Sequence, residues 1–574
     1  MVPPGCPVED PEVEMFRLVC LFTALAAVSA PVEITSPQDG GVYSDPDLEV
    51  RVVVDWGSET ADSVAYSLNG AAGMEIPRLD TDWYTYLQND LHHGWSESPA
   101  PHSPEVLWSA AVSGPTHEFV GPVVVDGVVY FTSDEESVTR ALDASTGEIL
   151  WEYDVIDHVD DAATVKDGLV YVPADSAWCL DAETGERVWA YKPSGYQKMN
   201  GTPAVVDGMA CFTAVTEIVD LRVCMLDAMT GQLLWSRDID HYTTGSVTIW
   251  NGLVLVPAYQ GALYALDISD GSTVWTNTDS EGGYWDTSPT VKDGVIYIGG
   301  EDYCVHAISA ATGELIWETS IGGRVESTPA VHDGRVFAGC AFPQSGTSMN
   351  ALSMEDGEIL WTVPGEPHGS PAVADGLVFW GDYWTGLIHA AGEATGESVW
   401  TYAAESVLSS PAVVDGVMYI AATDWNLYAF GTGLKYTYLG WITAQPGANT
   451  LTAAAWDSLG GLIGTDSISF VIDPQGVEPQ GPSSGLMLSC APNPFSSQTS
   501  VSFSLPEPGG ATLTVYDIAG RKVWSQDEDW FAAGTHSAVW DGRREGGVRA
   551  AAGVYFVRLR TDGGSAVARV CLIP

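Results

Sequence analysis

The chain has 574 residues, too many for one hydrophobic core. Its 76 acidic and 22 basic residues leave a formal net charge of −54, a surface that repels phosphate backbones and anionic headgroups, so nucleic-acid binding is set aside. The combination of 61 Gly and 22 Trp in a chain that is 45% apolar points to all-β architecture with Gly-rich turns.

Residues 1–30 read as an export signal region. The stretch 15–30 carries one Arg, an apolar run and a small-residue end, so cleavage after Ala30 is expected, with Met15 a candidate start. No later stretch is long and apolar enough for a transmembrane span. The expected location is secreted or on the outer surface of a bacterial cell, with the periplasm as the alternative. Residues 31–87 alternate polar and apolar (Val32-Glu-Ile34, Leu48 to Val54, Val64 to Leu68) and read as the first part of an Ig-like domain. Residues 88–104 are a polar lead-in whose adjacent His92 and His93 are expected to be solvated.

A repeat follows. Asp126-Gly127, Asp167-Gly168, Asp207-Gly208, Asn251-Gly252, Asp293-Gly294, Asp333-Gly334, Asp375-Gly376 and Asp415-Gly416 recur about every 41 residues, each between two apolar runs. Such dipeptides mark tight hairpins, because type I′ turns need positive φ at both central residues. Trp151, Trp189, Trp235, Trp275, Trp317, Trp361 and Trp400 form a second mark, each with Gly four residues earlier. Ala144, Ala182, Ala228 and Ala310 lie seven residues before a Trp, where a small side chain would let the indole lie flat. Ile268, Met354 and Glu393 take that place in the other units, where different packing is expected. Four short strands in each unit make a propeller blade. The span 105–432 holds eight such units, and the isolated run Glu105 to Trp108 supplies the outer strand that the last one lacks. The fold class is therefore all-β, an eight-bladed β-propeller inserted in or flanked by an Ig-like sandwich, plus a C-terminal Ig-like sandwich.

The starts of the innermost strands carry Asp160, Asp161, Tyr242, Tyr284, Trp285, Asp286, Arg324, Glu326, His368 and Glu405. These are expected to ring one mouth of the axial channel, where carboxylates and aromatics could hold a sugar, a peptide or a cation. The acidic runs Asp134-Glu135-Glu136 and Asp157 with Asp160-Asp161 lack EF-hand spacing. Cys211 and Cys224 could face each other across one hairpin, and Cys490 and Cys571 could tie the first and last strands of the final domain. No Cys-x-x-Cys pair, nucleophile elbow, zinc-protease motif, phosphate loop or dinucleotide motif occurs.

Residues 433–473 read as the second part of the Ig-like domain. Tyr84-Thr-Tyr-Leu87 before the repeat recurs as Tyr436-Thr-Tyr-Leu439 after it, which suggests a propeller inserted into one domain. Residues 474–488 are a Pro/Gly/Ser linker, and 489–574 form a last β domain.

The motifs Ala144-Ser-Thr-Gly-Glu-Ile-Leu-Trp151 and Ala182-Glu-Thr-Gly-Glu-Arg-Val-Trp189 resemble the PQQ-repeat, or quinoprotein-like, propellers. The resemblance implies the fold. It leaves the chemistry open, because that family includes quinone-dependent dehydrogenases and a non-enzymatic lipoprotein of the outer-membrane barrel-assembly machinery. The dehydrogenases carry a vicinal Cys-Cys bridge and a Glu/Asn/Asp calcium site; this sequence has no Cys-Cys pair and only six Lys to meet a tricarboxylate quinone. Pro492-Asn-Pro-Phe495, Thr512 to Arg521, Gly534-Thr-His536, Trp540-Asp-Gly542 and Gly553 to Leu559 resemble the FlgD-like Ig domain and the sorting domains of type IX secretion. Together these imply a non-catalytic exported or cell-surface scaffold without a cofactor. It would bind a protein or surface glycan through the propeller and secretion machinery through its end. The alternative is an exported PQQ- or metal-dependent oxidoreductase, with Ca²⁺ the expected ion.

Overall fold

Each Asp/Asn-Gly dipeptide of the repeat bends the chain with both residues left-handed, from Asp126 (φ 49°) and Gly127 (φ 76°) to Asp415 (φ 52°) and Gly416 (φ 82°). In the computed structural model these turns link the first two strands of eight sheets, each built on a four-stranded antiparallel meander. The structure describes residues 32–39, 42–43 and 47–57, and most of 61–472 and 487–572. Segments 113–120, 217–220, 279–282, 342–346, 458–461, 492–497 and 545–548 lie outside the description, with a few shorter ones that include 134–136 and 156–158. So do the signal region 1–30 and most of the linker, 474–486. The described residues contain no helix, and none therefore that is long and apolar enough to cross a membrane.

Residues Thr81–Leu434 cluster as one unit. Its first sheet is Val123–Val125, Val128–Ser133, Val138–Asp143 and Ile149–Asp154, innermost strand first. The eighth takes Ala412–Val414, Val417–Ala422 and Asn426–Phe430 from the end of the repeat and Val106–Ala111 from its start, with Ala429 opposite Trp108. Gly431 N–H donates to the Glu105 carbonyl at 2.8 Å and extends that seam. The innermost strand of each sheet neighbours those of the sheets before and after it, and the eighth lies beside the first. The cycle closes the ring, with no sheet left at an open end.

The Trp repeat clasps each sheet to the next. Trp151 Nε1 donates to the Ala182 carbonyl (2.9 Å), Trp189 to Ala228 (2.9 Å), Trp235 to Ile268 (2.7 Å) and Trp317 to Met354 (3.1 Å). At the seam, Trp400 reaches the Pro101 carbonyl (2.9 Å) and Trp108 reaches Ala144 (2.9 Å). The indole face lies on the Gly of the following unit: a Cβ built on Gly231 would stand 2.6 Å from Trp189. This corrects the expectation that Ile268, Met354 and Glu393 impose different packing. The acceptor is a main-chain carbonyl of the next unit, which any side chain supplies.

Cys211 and Cys224 are free thiols, and the expected disulfide does not form. Their strands pair with Cys211 opposite Met225 and Phe212 opposite Cys224, a register one residue off. Neighbouring strand positions point to opposite faces, so the two thiols serve different cores. The side chains of Cys490 and Cys571 lie outside the described residues.

The other unit is Met1–Asp80 with Lys435–Pro574. Strands from before and after the repeat interleave there in two sheets. One orders Val32–Ser36, Asp47–Gly57 and Leu434–Thr443; the other orders Val42–Tyr43, Leu462–Ile472, Gly447–Asp457, Ala61–Leu68 and Met74–Ile76. Val50, Val52, Val64, Tyr66, Leu451 and Phe470 form their common core. Tyr436 to Leu439 is part of this pair of sheets, whereas Tyr84 to Leu87 belongs to the repeat unit, so the recurring tetrapeptide plays two different roles. The last β domain packs a three-stranded and a four-stranded sheet around the fully buried Trp540.

Candidate functional site

An antiparallel meander puts the Asp-Gly turns at one end of the ring and the approaches to the innermost strands at the other. The two ends of the axis are built differently.

At the turn end the chain fills its own axis. Trp83 exchanges two backbone bonds with Val124 (2.7 and 2.8 Å). The amides of Val165, Val291, Val331 and Val373, each the middle residue of an innermost strand, donate to the carbonyls of Tyr84, Leu91, His93 and Gly94 at 2.7–3.0 Å. Trp95–Ser96 then adds a short parallel strand to the seventh sheet. The segment is pinned to the turns themselves through Thr81 to Asp415 (2.8 Å) and Gly416 to Ser98 (3.0 Å). The lead-in is therefore structural, and the adjacent His92 and His93 are engaged in it rather than free in solvent. His92 is buried, with Nδ1 3.0 Å from Thr248 Oγ1, and burial pushes its pKa down to about 4. His93 Nε2 sits 2.7 Å from the Val291 carbonyl.

Deeper along the axis lies a girdle of hydroxyls. The amide of Thr202 donates to Ser246 Oγ (2.9 Å), Ser246 to Ser288 (3.0 Å), Ser288 to Thr328 (2.8 Å), Thr328 to Ser370 (2.7 Å) and Ser370 to Ser410 (2.9 Å). Gly121 and Ala162 hold the equivalent places in the first two units and interrupt it. Tyr86, just before the lead-in, reaches in with its hydroxyl 2.6 Å from Ser370 Oγ. The signal for this girdle was in the sequence: a Ser or Thr directly before Pro at Thr202, Ser288, Thr328, Ser370 and Ser410.

The expected channel-mouth residues do not converge as one set. Asp160, Tyr242 and Trp285 lie outside the described residues. Asp161 is buried, accepts the Gly201 amide at 2.7 Å, and desolvation pushes its pKa up to about 7. Tyr284 is buried between sheets, edge-on to His306 at 6.0 Å. Asp286 is half-buried and left-handed (φ 57°). Arg324, exposed, stands 3.2 Å from Glu301 and 3.9 Å from the buried Glu326. His368 is buried with its ring 5.1 Å from Tyr383, and desolvation pushes its pKa down to about 4. Glu405 is exposed.

The same end also carries the connections between second and third strands, which the sequence reading did not single out. An Asp there holds a polar side chain of the third strand: Asp175 to Trp178 Nε1 (3.0 Å), Asp302 to His306 (3.0 Å), Asp382 to His389 (3.2 Å), and Asp424 to Tyr428. Beside these aspartates stand three exposed aromatics, Tyr303 (39%), Trp384 (58%) and Trp425 (54%).

The residues present do not fit the quinone and calcium that the fold suggests. The turn end of the axis is occupied by the chain's own residues, and no vicinal cysteine pair exists to cover a planar ring. Among the described residues no three His, Cys, Asp or Glu side chains form a metal group. Asp161 and Glu326 are already engaged with Gly201 and Arg324.

A family model described as PQQ_2, outer membrane protein assembly factor BamB, matches residues 99–284, 260–368 and 345–435, more than half of the chain. The FlgD Ig-like domain model matches residues 492–565. The outer membrane protein assembly factor BamB of Yersinia pestis is 23% identical over 45% of this chain, which spans 61% of that protein's length. The tetrathionate hydrolase of Acidithiobacillus ferrooxidans is 24% identical over 70% of this chain and 92% of its own. Among solved structures, the quinohemoprotein alcohol dehydrogenase of Comamonas testosteroni is similar, with a TM-score of 0.53 at 17% identity, covering 62% of this chain and 80% of that one. That likeness carries the fold alone.

Proposed function

The chain belongs to the PQQ_2 propeller family, and from that premise we propose that it is a non-catalytic exported or cell-surface scaffold. Its eight sheets present loops to a protein partner, and its FlgD-like Ig domain serves attachment or sorting, with secretion machinery as the second partner. The observation that carries this reading is the axial segment. Residues 83–96 take up the innermost strands' free amides along the axis, where a small-molecule site of this fold would need room. In the hydroxyl girdle behind it, Ser246, Ser288, Thr328, Ser370 and Ser410 each accept a neighbour's amide. A likeness to proteins named assembly factors agrees with a protein partner.

A second reading, an exported PQQ- or metal-dependent oxidoreductase, draws on 32% identity over 150 residues with a quinohemoprotein alcohol dehydrogenase. One experiment separates them. The purified full chain is mixed with PQQ and Ca²⁺ and then exposed to alcohols and an artificial electron-accepting dye, while a tagged copy is crosslinked in cell envelopes. The scaffold reading expects a specific crosslinked protein and no dye reduction. Quinone-dependent dye reduction would overturn it.

A further inference from the structure

The three exposed aromatics have no folding reason to be where they are. Tyr303 and Trp425 each hold a left-handed backbone (φ 70° for both) as the last residue before a third strand. For a bulky side chain that conformation is strained, about 1–2 kcal/mol on the general scale, and it is ordinarily given to Gly, Asn or Asp. The equivalent place in the seventh sheet is Gly386 (φ 63°) and in the first Ser137 (φ 54°), so the turn does not demand an aromatic. Packing recovers only part of either side chain's area, since Trp425 is 54% exposed and Tyr303 39%. In the seventh sheet, where Gly386 serves the turn, the aromatic has moved two residues back to Trp384 and is still exposed, edge-on to Tyr383 at 4.6 Å. Strain kept without a folding return is characteristic of recognition sites.

The tips are also held rigidly. The Tyr303 carbonyl accepts the Ile321 amide (2.9 Å), that of Gly386 accepts Ala404 (2.8 Å) and that of Trp425 accepts Val112 (2.8 Å), each from a neighbouring crossover. Rigid, exposed Tyr and Trp offer large contact area at low entropic cost. Charge sets the complement. The described loops at this end of the fifth, seventh and eighth sheets carry eight carboxylates, Asp286, Glu301, Asp302, Glu326, Glu366, Asp382, Glu405 and Asp424, against one Arg and no Lys. Glu301 and Glu326 face Arg324, and Asp302, Asp382 and Asp424 hold third-strand side chains, while Glu405 is exposed and Glu366 half-buried. Glu366 already sits against Asp382, which together with burial raises its pKa.

We propose that Tyr303, Trp384 and Trp425 form a docking face for an extended peptide segment of a partner protein in which Arg residues alternate with apolar ones. The guanidinium groups stack on the indoles and pair with Glu366 and Glu405, with the remaining carboxylates setting the sign of the field. This rests on the scaffold reading and names the chemistry of its partner.

The test titrates the full chain, at low salt, with an acetylated octapeptide alternating Arg with Leu and Gly, with its citrulline counterpart, and with an N-acetylglucosamine oligomer. The expected result is tighter binding of the Arg peptide, weakened about tenfold by Trp384→Ala and by Trp425→Ala. Trp425→Gly supplies the control for folding. It removes the ring and the strain together, so binding falls while the thermal midpoint holds or rises. Arg-peptide binding untouched by all three variants, a lowered midpoint in Trp425→Gly, or preferred binding of the sugar oligomer would each overturn the proposal. An envelope partner crosslinked equally well to the Trp variants overturns this face and leaves the scaffold reading standing; quinone-dependent dye reduction overturns the scaffold reading itself.

Discussion

Replacing Gly231 by Ala tests the Trp clasp directly, provided it is read against Gly208→Ala. Both glycines are left-handed (φ 68° and 75°), so both substitutions incur the strain of an L residue in that region, about 1–2 kcal/mol. Both also gain the same small benefit from a stiffer unfolded chain, which cancels in the comparison. They differ in what the new methyl meets. Nothing lies within 4 Å of the Gly208 position, whereas at Gly231 the Trp189 ring atoms stand at 2.6, 2.6 and 2.9 Å. Van der Waals contact begins near 3.4 Å, so the indole must retreat by most of an ångström. Overpacking of that kind costs about 1–3 kcal/mol. The retreat also stretches the 2.9 Å bond from Trp189 Nε1 to Ala228, which contributes about 1 kcal/mol. The expected loss is therefore about 2 kcal/mol greater for Gly231→Ala than for Gly208→Ala. Urea unfolding followed by tryptophan fluorescence would read it as a lower midpoint at unchanged slope. Equal losses in the two variants would refute the clasp as an energetic link between sheets.

Two further outcomes concern pH and have opposite signs. Asp161 has a folded pKa near 7, above its ordinary 3.8, so its contribution is fully present below about 3.8 and is lost as pH rises through 7. Asp161→Asn, which keeps an acceptor for Gly201, is expected to flatten that loss and to stabilise the protein at pH 8 by up to about 4 kcal/mol, read from thermal midpoints across pH. His92 has a folded pKa near 4 against an ordinary 6.5, so its contribution is present above 6.5 and is lost as pH falls through 4. His92→Asn is expected to lessen the acid sensitivity, measured in the same titration. A chain lacking residues 81–104 is expected to lose the cooperative transition of the repeat, seen as a broadened melt by circular dichroism. Mass spectrometry after alkylation under denaturing, non-reducing conditions is expected to label both Cys211 and Cys224.

The repeat was legible because its signals are local. An Asp-Gly turn and a Gly four residues before a Trp are each set by backbone conformation within a few residues, and they recur often enough to be seen. The shared strand from Glu105 to Ala111 could be inferred for the same reason, since one unit visibly lacked its Trp. The disulfide expectation failed on a quantity that spacing does not carry. Cys211 and Cys224 flank a hairpin symmetrically enough to suggest a pair, but a register offset of one residue sends them to opposite faces. His92 and His93 were misread because a polar segment of 17 residues looks solvated by composition, and only the ring's need for acceptors along its axis draws it inward.

That need explains why the mouth residues did not assemble as a site. Eight innermost strands bring free amides toward one axis, and each must find an acceptor in protein or water. Here residues 83–94 supply carbonyls to five of the eight strands at the turn end, and Ser246, Ser288, Thr328, Ser370 and Ser410 supply hydroxyls at the other. An axis satisfied by the chain itself has little polar capacity left for a ligand. The side chains that crowd its mouth are drawn instead into packing against the sheet they lead into, as Tyr284 is by His306 and His368 by Tyr383. Recognition is thereby moved outward, to the connections between second and third strands. There the backbone is tied down and the aspartates hold third-strand side chains, while Tyr303, Trp384 and Trp425 remain exposed. The strained Tyr303 and Trp425 stand on these connections, so the exposed tips, rather than the axis, are where substitutions should change what the protein binds without changing how it folds.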